Sequence, residues 1–185
     1  MGQLNLGSTS ISSNGGTVVI PNNINFGGNW VDAPSGTIIT TATGELHTGF
    51  STSSDSGVDT GLATSALVRK LPGGTGAGTS KIIISLEGGC RSADTSSGQD
   101  VTELYRSING ASASFLDYMD SQYSGGTYWL PHSGMYIDTV PNSAGASHVY
   151  KIYQRSRGAG TTVHFHQVVG GVAGGVYLIA QEVVN

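Results

Sequence analysis

Lys81-Ile82-Ile83-Ile84-Ser85-Leu86 is the stretch whose reading decides the fold class. Successive side chains of an extended chain point to opposite faces, so Ile82, Ile84 and Leu86 share one face. Similar runs recur on either side of it. Thr37-Ile38-Ile39-Thr40-Thr41 is β-branched throughout, and Val101 to Ile108 sets Leu104 and Ile108 on one side, with Arg106 between them. Further runs are Met135 to Val140, His148 to Arg155, Thr161 to Val169 and Val176 to Val184. Gly- and Ser-rich stretches such as Pro72 to Thr79 and Gly170 to Gly175 separate them. Many short strands bounded by turn residues predict an all-β sandwich or barrel. A helical turn is expected only between Ala113 and Gln122.

The last run bears on assembly. Val176, Leu178 and Ala180 fall on one face, and Tyr177, Ile179 and Val183 on the other. A strand that is apolar on both faces is a central strand covered twice. In a small sandwich one of those covers can come from another subunit, so the chain is expected to oligomerise.

Residues 1–32 differ in kind. They contain no Lys or Arg, and their apolar residues are sparse: Leu4, Leu6, Ile11, Val18, Val19, Ile20, Ile24, Phe26 and Trp30. Gly15-Gly16 and Pro21-Asn22-Asn23 break the segment into short extended pieces. It has too little apolar area for a core and is expected to be an extended arm laid against a partner. Ala33-Pro34-Ser35-Gly36 reads as the hinge into a main domain over residues 33–185.

Composition narrows the function. The 185 residues include 29 Gly, 24 Ser and 18 Thr, and charged residues make up 11%. So low a charge content argues against long helices or coiled coils. A net charge of −4 offers no basic face to a phosphate backbone, so nucleic acid is not an expected partner. No apolar run approaches the roughly 18 residues of a helical membrane span, and no membrane association is expected. The first residues carry no basic region followed by an apolar stretch, so no secretory leader is expected. Cys90 alone can form neither an intrachain disulfide nor a zinc site, and beside Gly88 and Gly89 it reads as a strand-end residue.

Candidate chemistry is sparse. His164-Phe165-His166, in a regular strand, would project both imidazoles from one face. Such strands around a threefold axis could hold one transition metal, as imidazole suits Zn, Cu, Fe and Ni; two ordinary surface histidines are the competing reading. Asp117 and Asp120 could divide acid and base roles in glycoside hydrolysis, but nothing fixes their separation, and they read as solvated loop acids. No Gly-X-Ser-X-Gly is present. Gly73 to Thr79 lacks the Lys-Ser/Thr ending of a phosphate loop and reads as a flexible hairpin tip. The chain is therefore not expected to be an enzyme or to need a cofactor. Tyr123, Tyr128, Trp129 and His132, spaced by Ser124-Gly125-Gly126, form an aromatic loop group suited either to ligand contact or to capping the sandwich end. Arg155-Ser156-Arg157-Gly158 reads as a turn with solvated charges.

The order of several motifs resembles a β-domain family of marine and cyanobacterial phage virion proteins. Ala33-Pro34-Ser35-Gly36-Thr37-Ile38-Ile39 is similar to its opening, and Phe50-Ser51-Thr52-Ser53-Ser54 with Val58-Asp59-Thr60-Gly61-Leu62 follows in order. Ser80 to Ile84, Ser114-Phe115-Leu116-Asp117 and Val149-Tyr150-Lys151-Ile152 continue the resemblance. Two segments depart from it, Leu104-Tyr105-Arg106-Ser107 and Gly160 to His166. The resemblance implies a jelly-roll-like antiparallel β-sandwich that trimerises, similar to C1q and TNF knobs, in a tail-fibre, head-fibre or decoration protein on the virion exterior. It brings no catalytic residues. The short arm favours a trimeric capsid decoration protein, with Leu4, Leu6, Ile11, Val18, Val19 and Ile20 attaching it to capsid or other virion structural proteins. The alternative is a tail-fibre or tail-tip knob that binds a host surface polysaccharide, a host glycan then being the partner.

Overall fold

The computed structural model describes residues 3–6, 9–12, 35–93, 99–123, 130–158, 161–166 and 174–185. The chain divides into two compact units, Met1–Trp30 and Val31–Asn185. In the first, β1 (Gln3–Leu6) and β2 (Thr9–Ser12) pair as an antiparallel hairpin that sets Leu4 opposite Ile11.

The second unit is an all-β sandwich of two antiparallel sheets. Its strands are β3 (Ile38–Leu46), β4 (Phe50–Thr52), β5 (Val58–Ala63), β6 (Leu67–Val68), β7 (Ser80–Ala93), β8 (Gln99–Ile108), β9 (Ser114–Tyr123), β10 (Leu130–Asp138), β11 (Ser147–Arg157), β12 (Val163–His166) and β13 (Val176–Val184). The first sheet runs β3-β13-β7-β10, with β12 joining the far end of β7 and β4 beside β12. The second runs β5-β11-β8-β9, with β6 also on β11.

The core forms where the alternating patterns of both sheets meet. Ile82, Ile84 and Leu86 of β7 pack with Val176, Leu178 and Ala180 of β13, and against Leu104, Tyr150 and Ile152 of the opposite sheet. All nine are buried, as the alternation required. Strand β13 is central, as expected, between β3 and β7. Near its end Glu182, Val183 and Val184 are all buried, and there β3 carries an extra residue, Ile39, while the pairing of β13 with β7 stays regular.

Three local expectations are corrected. Cys90 is not at a strand end: β7 continues past it, because Gly88 and Gly89 let the strand bend from β13 toward β12. Both glycines have positive φ (81° and 61°), and a Cβ at Gly89 would lie 2.2 Å from Val176 Cγ2. Gly73 to Thr79 is not a hairpin tip, since it links β6 of one sheet to β7 of the other, and Gly73 N–H donates to Asn142 O at 2.8 Å.

The expected helical turn over Ala113 to Gln122 is strand β9. Bulges against β8 insert Leu116 and Met119 as extra residues. Cross-strand partners share a face, so Phe115 and Tyr118 face outward with Tyr105 and Glu103. The outward spacing becomes three residues instead of two, which imitates a helical period.

Candidate functional site

Polar groups enter the sandwich at one end in a connected network. Asp138, at the end of β10, accepts two hydrogen bonds from Arg106 Nη1 of β8, 2.8 Å to Oδ1 and 2.7 Å to Oδ2. It also accepts from the Tyr150 hydroxyl of β11 at 2.8 Å and from Val140 N–H at 3.0 Å. Burial pushes the Asp138 carboxyl up, but these bonds outweigh it and hold the group below the usual carboxylate range. Beside it, Arg69 donates to the carbonyl and hydroxyl of Ser80 and to Val140 O and Asn142 Oδ1. Glu182 accepts from Lys70 N–H, Leu71 N–H and Ser80 Oγ, with Arg69 Nε 3.8 Å away. These bonds form a structural bolt between the sheets, although among the described residues Arg69 Nε and Arg106 Nε have no hydrogen-bond partner.

His148 joins this network. Its Nε2 lies 2.6 Å from Asn142 Nδ2 and its Nδ1 3.5 Å from the Tyr150 hydroxyl. Burial, reinforced by Arg69 and Arg106, pulls its pKa down to about 4 against a raising effect from Asp138. At the other end His132 donates from Nε2 to Phe165 O at 2.6 Å and packs on the Phe165 ring at 4.4 Å. Its pKa is also drawn to about 4, by burial first and then by Arg91 and His166, against the Phe165 bond.

These depressed values fix a pH response. Once unfolded, each histidine titrates near 6.5. Between about pH 6.5 and 4 the unfolded chain takes up protons that the folded chain refuses, so stability falls as pH falls. The two together amount to a few kcal/mol at pH 4. Asp138, whose pKa is lowered by folding, extends the loss below pH 4. The urea midpoint should therefore drop between pH 7 and 4.5, and His148→Asn should flatten the drop. A midpoint constant over that range would contradict the assignment.

The expected site residues fall in separate places. Leu4, Leu6 and Ile11 lie in the β1–β2 hairpin, while Val18, Val19 and Ile20 lie outside the described residues. Tyr128 and Trp129 also lie outside them, and of Tyr123 only the backbone, ending β9, is described. His132 is not a loop residue open to ligand: it is in β10, 2% exposed. His164 and His166 do not share a face. A bulge makes Phe165 the extra residue, so His164 pairs with Ser51 and His166 with Phe50. Adjacent residues of β4 point oppositely, which turns His166 inward and leaves His164 half-buried on the outside. Among the described residues no group of three or more His, Cys, Asp or Glu could hold a metal ion.

The carboxylates differ from their expected setting too. Asp117 and Asp120 are on a strand, and Asp120 Oδ1 is 2.9 Å from buried Arg91 Nη1, which is also 3.7 Å from Asp100. Arg155 to Arg157 belong to β11, not a turn, and Arg155 Nε is 2.8 Å from Glu103 Oε1.

Two outer faces remain as candidate surfaces. On the first sheet, Ile179 of β13 lies between Thr43 and Ser85, and Ser85 opposite Met135 of β10. The next rows add Ile83 with Ile137 on one side, and Tyr177 between Glu45 and Glu87 on the other. Met135 is 70% exposed, and Ile137 and Tyr177 are also exposed. On the second sheet, Tyr105, Phe115, Tyr118 and Tyr153 cluster around Glu103 and Arg155. That aromatic face escaped sequence reading because its members come from three strands whose pairing no single run reveals. The period-2 pattern of β11, with Lys151, Tyr153, Arg155 and Arg157 opposite buried Tyr150, Ile152, Gln154 and Ser156, was the available signal. No family model matches the chain, and no curated protein matches it.

Proposed function

We propose that this protein is a structural component of a phage virion, a homotrimeric capsid decoration protein on the particle exterior that acts by binding alone. The observation that carries the assembly is the outer face of the first sheet, where half-buried Ile83 and Ile179 and exposed Met135, Ile137 and Tyr177 lie around Ser85, with Thr43 and Gln181 beside them and Glu45 and Glu87 flanking Tyr177. Contiguous exposed apolar side chains mark interaction surfaces, and covering them accounts for the two-sided apolar character of β13. The pairing order supports the same reading. Two antiparallel sheets, β3-β13-β7-β10 facing β5-β11-β8-β9, are what a jelly-roll-like sandwich of the kind implied by the motif resemblance requires.

In this reading the three sheets meet around the threefold axis, and each chain's first 32 residues reach the virion surface. Leu4, Leu6 and Ile11, with Val18 to Ile20, supply apolar area at roughly 25 cal/mol per Å². Three linked arms gain further through effective concentration, so a modest contact per arm holds the trimer firmly.

Gold-labelled antibody against the chain, applied to intact particles that contain it, tests the location. Label over the head exterior is the expected result. Label confined to the tail would assign the chain to a fibre or tail tip instead.

A further inference from the structure

We infer that Thr102 and Gln154 join through an intramolecular ester, with loss of ammonia, and so cross-link β8 to β11 inside the sandwich. The two residues are direct cross-strand partners, 52 residues apart in sequence. Both are 0% exposed. The Thr102 hydroxyl donates to Gln154 Oε1 at 2.9 Å. A C=O bond is about 1.23 Å long, so Oγ1 lies within about 4.1 Å of the amide carbon Cδ. That is near the attack distance of about 3–3.5 Å, and the paired strands hold the two groups there.

The amide nitrogen supplies a second, independent observation. Gln154 Nε2 is buried and, among the described residues, has no hydrogen-bond acceptor. Burying a donor without an acceptor is costly. The nitrogen left unsatisfied is the one that ester formation releases, and the ester carries no N–H, so the reaction relieves that cost. On the core side of the pair, Leu104 and Ile152 are cross-strand partners and also 0% exposed. They keep out the water that would hydrolyse an ester once formed.

The step balances without a co-reactant. Thr102 Oγ1 bonds to Cδ, the Cδ–Nε2 bond breaks with its electron pair going to nitrogen, and the hydroxyl proton ends on that nitrogen, so ammonia leaves. Its dilution and protonation in water draw the reaction forward. Asp120 carries the proton. It is the cross-strand partner of Thr102 on β9, so the two side chains share the inward face with Cβ atoms about 4.5–5.5 Å apart. Its carboxylate takes the hydroxyl proton and returns it to the leaving nitrogen. Arg91 reaches the same end from β7, with Nη1 2.9 Å from Asp120 Oδ1 and 3.7 Å from Asp100 Oδ1. Its charge offsets the two carboxylates and the negative charge that develops on Oε1 during attack.

Intact-protein mass spectrometry tests this on the full chain. The native protein should weigh one ammonia less than its sequence. After trypsin, residues 92–106 and 152–155 should be recovered as one branched species that mild alkali separates. Thr102→Val should restore the full sequence mass, while Thr102→Ser, which keeps a hydroxyl, should retain the linkage. Asp120→Asn should leave a full-mass fraction where the native protein shows none; complete linkage in that variant would overturn the role given to Asp120. Native protein at its full sequence mass, with the two peptides separate, would overturn the inference. Ammonia lost from the native protein and Thr102→Val alike would place the loss elsewhere, as in a succinimide at Asn109-Gly110, and overturn it equally.

Discussion

Asp138→Ala should destabilise the sandwich by about 3–5 kcal/mol, the cost of removing one partner from a buried ion pair. Asp138 belongs to the first sheet, whereas Arg106 and Tyr150, which hydrogen-bond to it, belong to the second. Losing the carboxylate strands a mostly buried guanidinium and a buried hydroxyl at one stroke, and the bolt between the sheets goes with it. A domain of this size has only about 5–15 kcal/mol in total, so the variant would be marginal at body temperature. Its melting temperature should fall by roughly 10 °C. Asp138→Ala/Arg106→Leu should recover part of the loss, since an apolar replacement of both partners leaves no orphaned charge. A shift of about 2 °C or less for the single variant would mean that the carboxylate is solvated and the bolt is not formed.

The second large effect concerns assembly. Ile179 sits in the middle of the first sheet's outer face, beside Thr43 on β3 and Ser85 on β7. In a trimer built through that face, Ile179→Lys would bury an ammonium group in each of the subunits. Even after relaxation that costs several kcal/mol per ion, about 10²-fold or more in association for each chain. The fold of the single chain should survive, because Ile179 points away from the core that Leu178 and Ala180 occupy.

How far the fold was legible depends on where alternation is regular. Ile82, Ile84 and Leu86 read correctly because β7 is unbulged there, and the two-sided β13 read correctly as central. Leu116 and Met119 are inserted residues, so β9 showed a helical spacing that its pairing with β8 overrides. Phe165 is another, and it separates His164 from His166. A bulge depends on the partner strand, which lies far away in sequence, so no local pattern announces it. The same holds for Arg69, Arg106, Asp138 and Glu182: their ion pairs join strands that are distant along the chain, and each alone reads as an ordinary surface charge. His132 looked like part of an aromatic loop because strand β10 begins before the run at Met135. The aromatic face around Glu103 had the opposite difficulty, its residues being visible but their grouping hidden until β8, β9 and β11 were placed side by side.

The central claim is that the first sheet's outer face joins three copies of this chain. Light scattering coupled to size-exclusion chromatography measures that directly. The native protein should elute at three times its 18.9 kDa chain mass, and Ile179→Lys at the chain mass with an unchanged circular dichroism spectrum. A native protein that runs as a monomer at micromolar concentration, or an Ile179→Lys variant that remains trimeric, would contradict the account.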